Sequence, residues 1–313
     1  MKGVGHMSSI TKTKKERDFH HLSKPWNVTF NLIAGIFAFL CVFPFLFVVI
    51  ISFTDEVALA RDGYKLIPAK WSLGAYRYVF ESGDMLLRSY GVTIFVTVIG
   101  TIISLLFIAF YAYAISRKSF RYRNFFSFFA FFTMLFNGGL VPTYIIVTQF
   151  LSLKDTIWAL ILPLAVNAFY IMILRTFYST SVPDAIIESG KIDGAGEFRI
   201  FLKLVLPLSL PGLATIALFS TLGYWNDWFN ALLYIDNPNL VPLQSMLMRI
   251  ETSMQFILQN SQNSSLSLEA LRSMPQDTSR MAMVVLATGP IIFAYPFFQR
   301  YFIQGLTVGA VKE

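Results

Sequence analysis

The sequence predicts an all-α integral membrane protein built on six transmembrane helices. Of its 313 residues, 55% are hydrophobic and only 14% charged, with 32 phenylalanines, a balance that ordinary soluble domains do not carry. Apolar runs of spanning length recur along the chain. Charge runs or clusters of Gly, Pro and Asn mark their ends.

Residues 1–27 carry Lys12, Lys14, Lys15, Arg17 and Lys24 with no apolar period, which predicts a flexible basic tail. The first span covers 28–53. It is too long for the apolar part of a signal peptide, and no small-residue cleavage site follows it. Pro44 within it predicts a kink. Residues 54–84 are polar and end in an interfacial stretch with Trp71, Tyr76 and Tyr78. A second span over 87–115 stops at Arg117, Lys118, Arg121 and Arg123. The third, 125–141, ends at Asn137-Gly138-Gly139 with Pro142 behind. Residues 143–152 are apolar but too short to span, and predict a surface or re-entrant helix. The fourth span covers 157–177 and carries Pro163 and Asn167, the fifth covers 208–228, and the sixth covers 281–302. Between the last two, 235–278 is the longest polar segment, expected as a large outer loop, and 303–313 is a short tail.

Six spans put both termini on one side. The tails and the loops after the second and fourth spans hold most of the 25 lysines and arginines, so that side is expected to be the cytoplasm. The formal charge of +7 is thereby accounted for by topology, without a nucleic-acid partner. The one cysteine, Cys41, lies in an apolar run, and His6, His20 and His21 all lie in the tail. Histidine triads and zinc hydrolase chemistry in the membrane body are excluded, and no cofactor is expected in the chain. No Gly-x-x-x-x-Gly-Lys-Ser/Thr occurs, so nucleotide energy has to come from another subunit.

The segment from about 179 to 207 stands apart. Its charges and its glycines, Gly190, Gly194 and Gly196, do not suit lipid. Ser181-Val182-Pro183-Asp184 has the form of a capping box, which predicts a short helix from about Val182 through Glu188 and an exit turn at Asp193-Gly194.

Glu188, Gly194, Leu204, Leu206 and Pro207 fall in the register of the EAA loop of bacterial ABC-importer permeases, which this segment resembles. Asp193-Gly194-Ala195 matches as well, whereas Ser189 and Gly190 stand where that family usually has alanines. The order Gly138-Gly139-Leu140-Val141-Pro142-Thr143-Tyr144, the loop, Trp225-Asn226-Asp227 and Pro242-Leu243-Gln244 is similar to the second permease of carbohydrate importers, in the branch for oligosaccharides or polysaccharide fragments. The resemblance implies the type I importer permease fold, with residues 86–302 as its core. It also implies a non-enzymatic pathway subunit of a bacterial cell-membrane transporter. Its partners would be a second homologous permease in a heterodimer, two cytoplasmic ATPase subunits that bind ATP and Mg, and an extracellular sugar-binding protein. Glu188, Ser189, Gly190, Asp193, Gly194 and Ala195 would then form the ATPase-coupling helix and its exit.

For the substrate pathway the residues themselves suggest Tyr224, Trp225, Asn226, Asp227 and Asn230, near the outer end of the fifth span. Aromatic rings suit sugar C–H faces and amides suit hydroxyls, and Asn226 and Asn230 would share a helix face. An aromatic belt at the headgroup level explains the tryptophans as well, and helix-end bonds explain Asn137 and Asn167. Two other functions stay open on the residues alone: a permease for amino acids, peptides or polyamines, and a membrane-embedded enzyme or scaffold using Glu188, Asp193 and Asp227.

Overall fold

The computed structural model describes residues 24–81, 83–259 and 276–299; among them the regular secondary structure is helical, with one isolated bridge between Thr54 and Trp71. The basic tail before Lys24, the serine-rich middle of the outer loop and the C-terminal tail lie outside them. The chain divides into two compact units, residues 1–47 and 48–313.

Helix α1 (Lys24–Ser52) is continuous through Pro44. In its part within the first unit the side chains are mostly exposed, and Trp26 meets Phe30 and Phe39 meets Phe43 one turn apart. It starts four residues before the expected span, because Pro25 suits a first helical turn.

The second unit is organised on α4 (Gly83–Ser116), 34 residues and thus about 51 Å long. One face of α4 buries Ser89, Thr93, Thr97, Gly100, Thr101 and Ser104. Small side chains let neighbouring helices come close, and in a membrane that close packing is the main attraction between them. Helices α8 (Ala168–Ser181) and α11 (Leu210–Trp225) pack along this face. Thr101 and Thr221 share a hydrogen bond of 3.3 Å, and Ser104 and Ser220 one of 3.4 Å.

At the N-terminal end of α4 lie α2 (Glu56–Asp62) and α3 (Gly74–Phe80). Lys70 reaches Asp55 at 3.0 Å, and Ser52 shares a 2.8 Å hydrogen bond with Tyr76. Glu56 spans to the last helix, accepting the Thr278 N–H at 3.0 Å, the Thr278 hydroxyl at 2.6 Å and the Asp277 N–H at 3.2 Å. It therefore caps that helix from far along the sequence.

Three helix pairs are sharply bent at a short break, and of these only α7–α8 corresponds to a single expected span. Helix α5 (Arg123–Leu135) turns by 112° into α6 (Leu140–Phe150), α7 (Trp158–Leu164) by 51° into α8, and α10 (Glu197–Leu208) by 81° into α11. Among the described residues, three helices are long and apolar enough to cross a membrane, and up to six candidates result if each pair counts as one span. Helix α5 ends six residues before the expected limit, since Asn137-Gly138-Gly139 breaks it and Gly139 takes a φ of +89°.

Other boundaries differ from expectation for local reasons. Helix α9 (Asp184–Ile192) starts at Asp184 and passes Glu188 by a full turn; Ser181 closes α8 instead of capping α9, and Pro183 holds the N-cap place with an extended backbone. Residues from Glu197 to Pro207 are helical rather than loop. A short helix, α12 (Phe229–Tyr234), precedes the polar segment after the fifth span, and α13 (Leu243–Gln259) lies inside that segment. Leu243, Met246, Leu247 and Met254 of α13 are buried, so this part packs against the protein and does not simply face water. The last helix, α14 (Asp277–Gln299), starts four residues early, where Glu56 caps it.

Candidate functional site

Two places carry the residues of interest, one at the C-terminal end of α4 and one between the broken spans. At the first, α9 turns its buried Ile187 and Gly190 inward. Ala185, Glu188, Ser189 and Ile192 form its exposed face at helical spacing. A Cβ on Gly190 would lie 2.9 Å from Leu204 Cδ1 and 3.2 Å from Ile200 Cγ1, so the absent side chain allows α9 to sit tightly on α10. The Ala195 N–H closes the corner on the Gly190 carbonyl at 2.9 Å. Gly194 has a φ of +73°, a left-handed turn that L side chains resist, and Asp193 is the C-cap of α9. The expected exit turn is thus in place. Ile192 is 86% exposed at the tip, an apolar side chain offered to solvent that charge and glycine signals do not reveal.

Residues at and just beyond the C-terminal end of α4 hold the start of α9 and the start of α10. Lys118 Nζ lies 2.7 Å from Asp184 Oδ2, and Arg117 lies 3.9 Å from Oδ1. The Lys118 hydrogen bond and charge hold the Asp184 carboxyl below its usual range. Beyond the exit turn, Tyr113 donates its hydroxyl to Glu197 Oε2 at 2.8 Å, while Lys191 reaches Oε1 at 2.7 Å.

At the second place, a cleft of about 680 Å³ opens between the α5–α6 and α7–α8 breaks. Tyr111, Phe129, Thr133, Asn137, Asn167 and Phe169 are among the residues that line it. Asn137 Oδ1 accepts the Gly139 N–H at 2.8 Å, and Asn167 Oδ1 accepts those of Phe169 at 2.9 Å and Tyr170 at 3.4 Å, capping α8. Each amide spends its oxygen on the helix end and leaves its NH2 as a donor.

Tyr224 and Trp225 sit elsewhere and have other work. They are 3% and 5% exposed. Tyr224 donates its hydroxyl to the Ile161 carbonyl at 2.9 Å, and Trp225 Nε1 donates to the Ala287 carbonyl at 2.8 Å, tying α11 to the fourth and sixth spans. Asn226 and Asn230 do not share a helix face, because α11 ends at Trp225 and Asn226 is its C-cap. Asp227 accepts the Asn230 N–H at 3.2 Å and its Nδ2 at 2.9 Å, securing the first turn of α12.

Comparison with known proteins decides the family. Residues 106–308 match the binding-protein-dependent transport system inner membrane component family. The chain belongs to that family. It is an ABC-transporter permease component, a multi-pass membrane subunit and not an enzyme. Such a subunit works with ATPase, binding-protein and permease partners. Among its relatives, the polygalacturonan/rhamnogalacturonan transport system permease protein YtcP of Bacillus subtilis (strain 168) is 41% identical over 88% of this chain and 94% of its own length. Protein LplC of the same organism is 40% identical over 87% and 89%. A chain from the crystal structure of a bacterial ABC transporter involved in the import of the acidic polysaccharide alginate superposes with a TM-score of 0.73 at 30% identity, over 90% of this chain and 99% of that one.

Proposed function

We propose that this permease forms one half of the passage through which a bacterial importer moves oligosaccharides, with uronate-bearing fragments as the favoured cargo. The cleft carries the proposal. Its volume is that of a small-ligand site, its rings suit sugar C–H faces, and the NH2 groups of Asn137 and Asn167 suit hydroxyl or carboxylate oxygens. The relatives named for polygalacturonan/rhamnogalacturonan and the alginate transporter support an acidic sugar.

In this reading the termini and α9 lie in the cytoplasm of the cell-membrane transporter. The exposed face of α9, with Glu188, Ser189 and Ile192, docks on one of two ATPase subunits, which bind ATP and Mg. Asp193, Gly194 and Ala195 shape its exit. A second homologous permease supplies the other half of the passage, and an extracellular binding protein delivers the sugar. ATP binding draws the two α9 helices together and rocks the halves about the passage.

The test is uptake of labelled oligogalacturonides, arabino-oligosaccharides, amino acids and peptides by cells with and without the chain. Loss of oligosaccharide uptake, restored by the intact gene, supports the reading. Loss of amino-acid or peptide uptake instead overturns the cargo. Asn167→Asp sharpens the test, because it keeps the capping oxygen but replaces the NH2 donor by a carboxylate: uptake of oligogalacturonides falls while the protein remains folded.

A further inference from the structure

The coupling segment is joined to the membrane body by its chain ends, through α8 before it and α10 after it. A third join has no counterpart in the sequence motif. Tyr113 and Glu197 make it, at 2.8 Å, between α4 and the first turn of α10. The surroundings differ from those of an incidental surface contact. Tyr113 is 8% exposed, edges onto Tyr178 of α8 at 6.3 Å and packs on Phe201 of α10 at 4.9 Å. The second carboxylate oxygen of Glu197 is held by Lys191 in the last turn of α9. Glu197 therefore has one oxygen on the coupling helix and the other on α4.

The corner between α9 and α10 is close-packed by Gly190 against Leu204 and Ile200 and closed by the Ala195 bond. Close-packed elements shift as units rather than deform. Besides apolar packing, the other join near the end of α4 is Asp184 with Lys118 at 2.7 Å and Arg117 at 3.9 Å; the closer pair has side chains 77% and 49% exposed and is a solvent-screened ion pair of little mechanical strength.

We propose that Tyr113 and Glu197 are positioning residues for transport, and that their hydrogen bond delivers the displacement of the coupling helix to α4. This rests on the coupling role given above to α9. Helix α4 carries Tyr111 into the cleft two residues before Tyr113, so a pull at Tyr113 is felt at the cleft wall. The step requires no chemistry, only that the bond hold while α9 moves.

The test uses the assembled transporter, with its ATPases and second permease, in nanodiscs. A cysteine replaces Tyr111 in a Cys41→Ser background, and its labelling by a charged maleimide is timed with and without ATP and vanadate. With Tyr113 and Glu197 intact, trapping changes the labelling rate at residue 111. In Tyr113→Phe and in Glu197→Ala the nucleotide is still trapped, while the change shrinks about tenfold, the scale set by one charge-assisted hydrogen bond. Glu197→Gln keeps an oxygen for the Tyr113 hydroxyl and retains most of the response, which separates the link from a general loss of stability. An unaltered response in Tyr113→Phe overturns the proposal. A transporter in which the intact chain binds no ATPase overturns the coupling role of α9, and the proposal with it.

Discussion

The ring of Tyr224 fills the space that a side chain at residue 100 would need: a Cβ on Gly100 would stand 2.6 Å from its Cζ and 2.7 Å from Cε1. The rigid ring is also fixed at its far end by the bond to Ile161, so it has no simple way to yield. Gly100→Ala is expected to lower stability by about 1–3 kcal/mol through overpacking. Thermal unfolding in detergent measures it. Tyr224→Phe keeps the ring and loses only the bond to Ile161, at about 1 kcal/mol. Uptake by that variant stays normal where it is folded; a specific loss of transport would restore Tyr224 to the pathway.

Pro290 in α14 has no N–H, so the Leu286 carbonyl four residues earlier loses its helical donor, and Tyr90 of α4 supplies one at 2.8 Å. Tyr90→Phe should cost about 1 kcal/mol. Pro290→Ala returns the donor, so the double variant should lose less than the sum of the two single ones. Strict additivity in this cycle would show that the bond is incidental.

At the exit of α9, Gly190 and Gly194 should both resist alanine, for different reasons. Space around Gly194 is open but its backbone is left-handed, so Gly194→Ala carries a strain of about 1–2 kcal/mol. Gly190→Ala meets Leu204 Cδ1 at 2.9 Å and Ile200 Cγ1 at 3.2 Å, so it should overpack the corner and lower stability by about 1–3 kcal/mol. Gly194→Glu should abolish uptake while insertion into the membrane persists. Immunoblotting of membranes beside uptake assays reads both.

Asp155 ties the loop after α6 to the loop after α12. It accepts the N–H groups of Asn237 at 2.9 Å and Asp236 at 2.6 Å, and these bonds hold its carboxyl below the ordinary value of 3.8. A depressed carboxyl stabilises the fold above its unfolded value and loses that contribution as pH falls through the folded one. The stability gap between the wild type and Asp155→Asn should therefore be constant at neutral pH and close only on acidification below about pH 4. A gap that closes between about pH 6 and 7 would assign the effect to another group.

Local signals in the chain announce where helices stop, but not where the chain goes next. The unbroken apolar run of α4 and its arginine stop are both plain in the sequence. Asn137-Gly138-Gly139 likewise marks a break, yet the 112° turn after it depends on what α6 packs upon. Helix α10 is hidden because Glu197 and Arg199 continue the charged stretch of α9, although Phe198, Ile200, Phe201 and Leu204 already carry a helical period. Helix α13 is masked in the same way by the polar residues that follow it. At the sites, the exit turn at Gly194 follows from glycine chemistry. The fit of Gly190 on Leu204 and the cleft face of Asn167 require the folded chain, since each joins residues that sequence spacing does not relate.

The carboxylate of Glu56 has a bearing on how the molecule is made. It emerges from the ribosome 221 residues before Asp277, the nearer along the chain of the two residues it binds. The segment that carries it must already be in place when the last helix is inserted, and its acceptor then waits for the N-terminal end of that helix. Early and late parts of the polypeptide thus meet at one point, and synthesis closes the bundle there like a clasp. Removing the carboxylate should leave the early helices inserted and let the last one enter without its guide, a fault of biogenesis that heat denaturation of the finished protein understates.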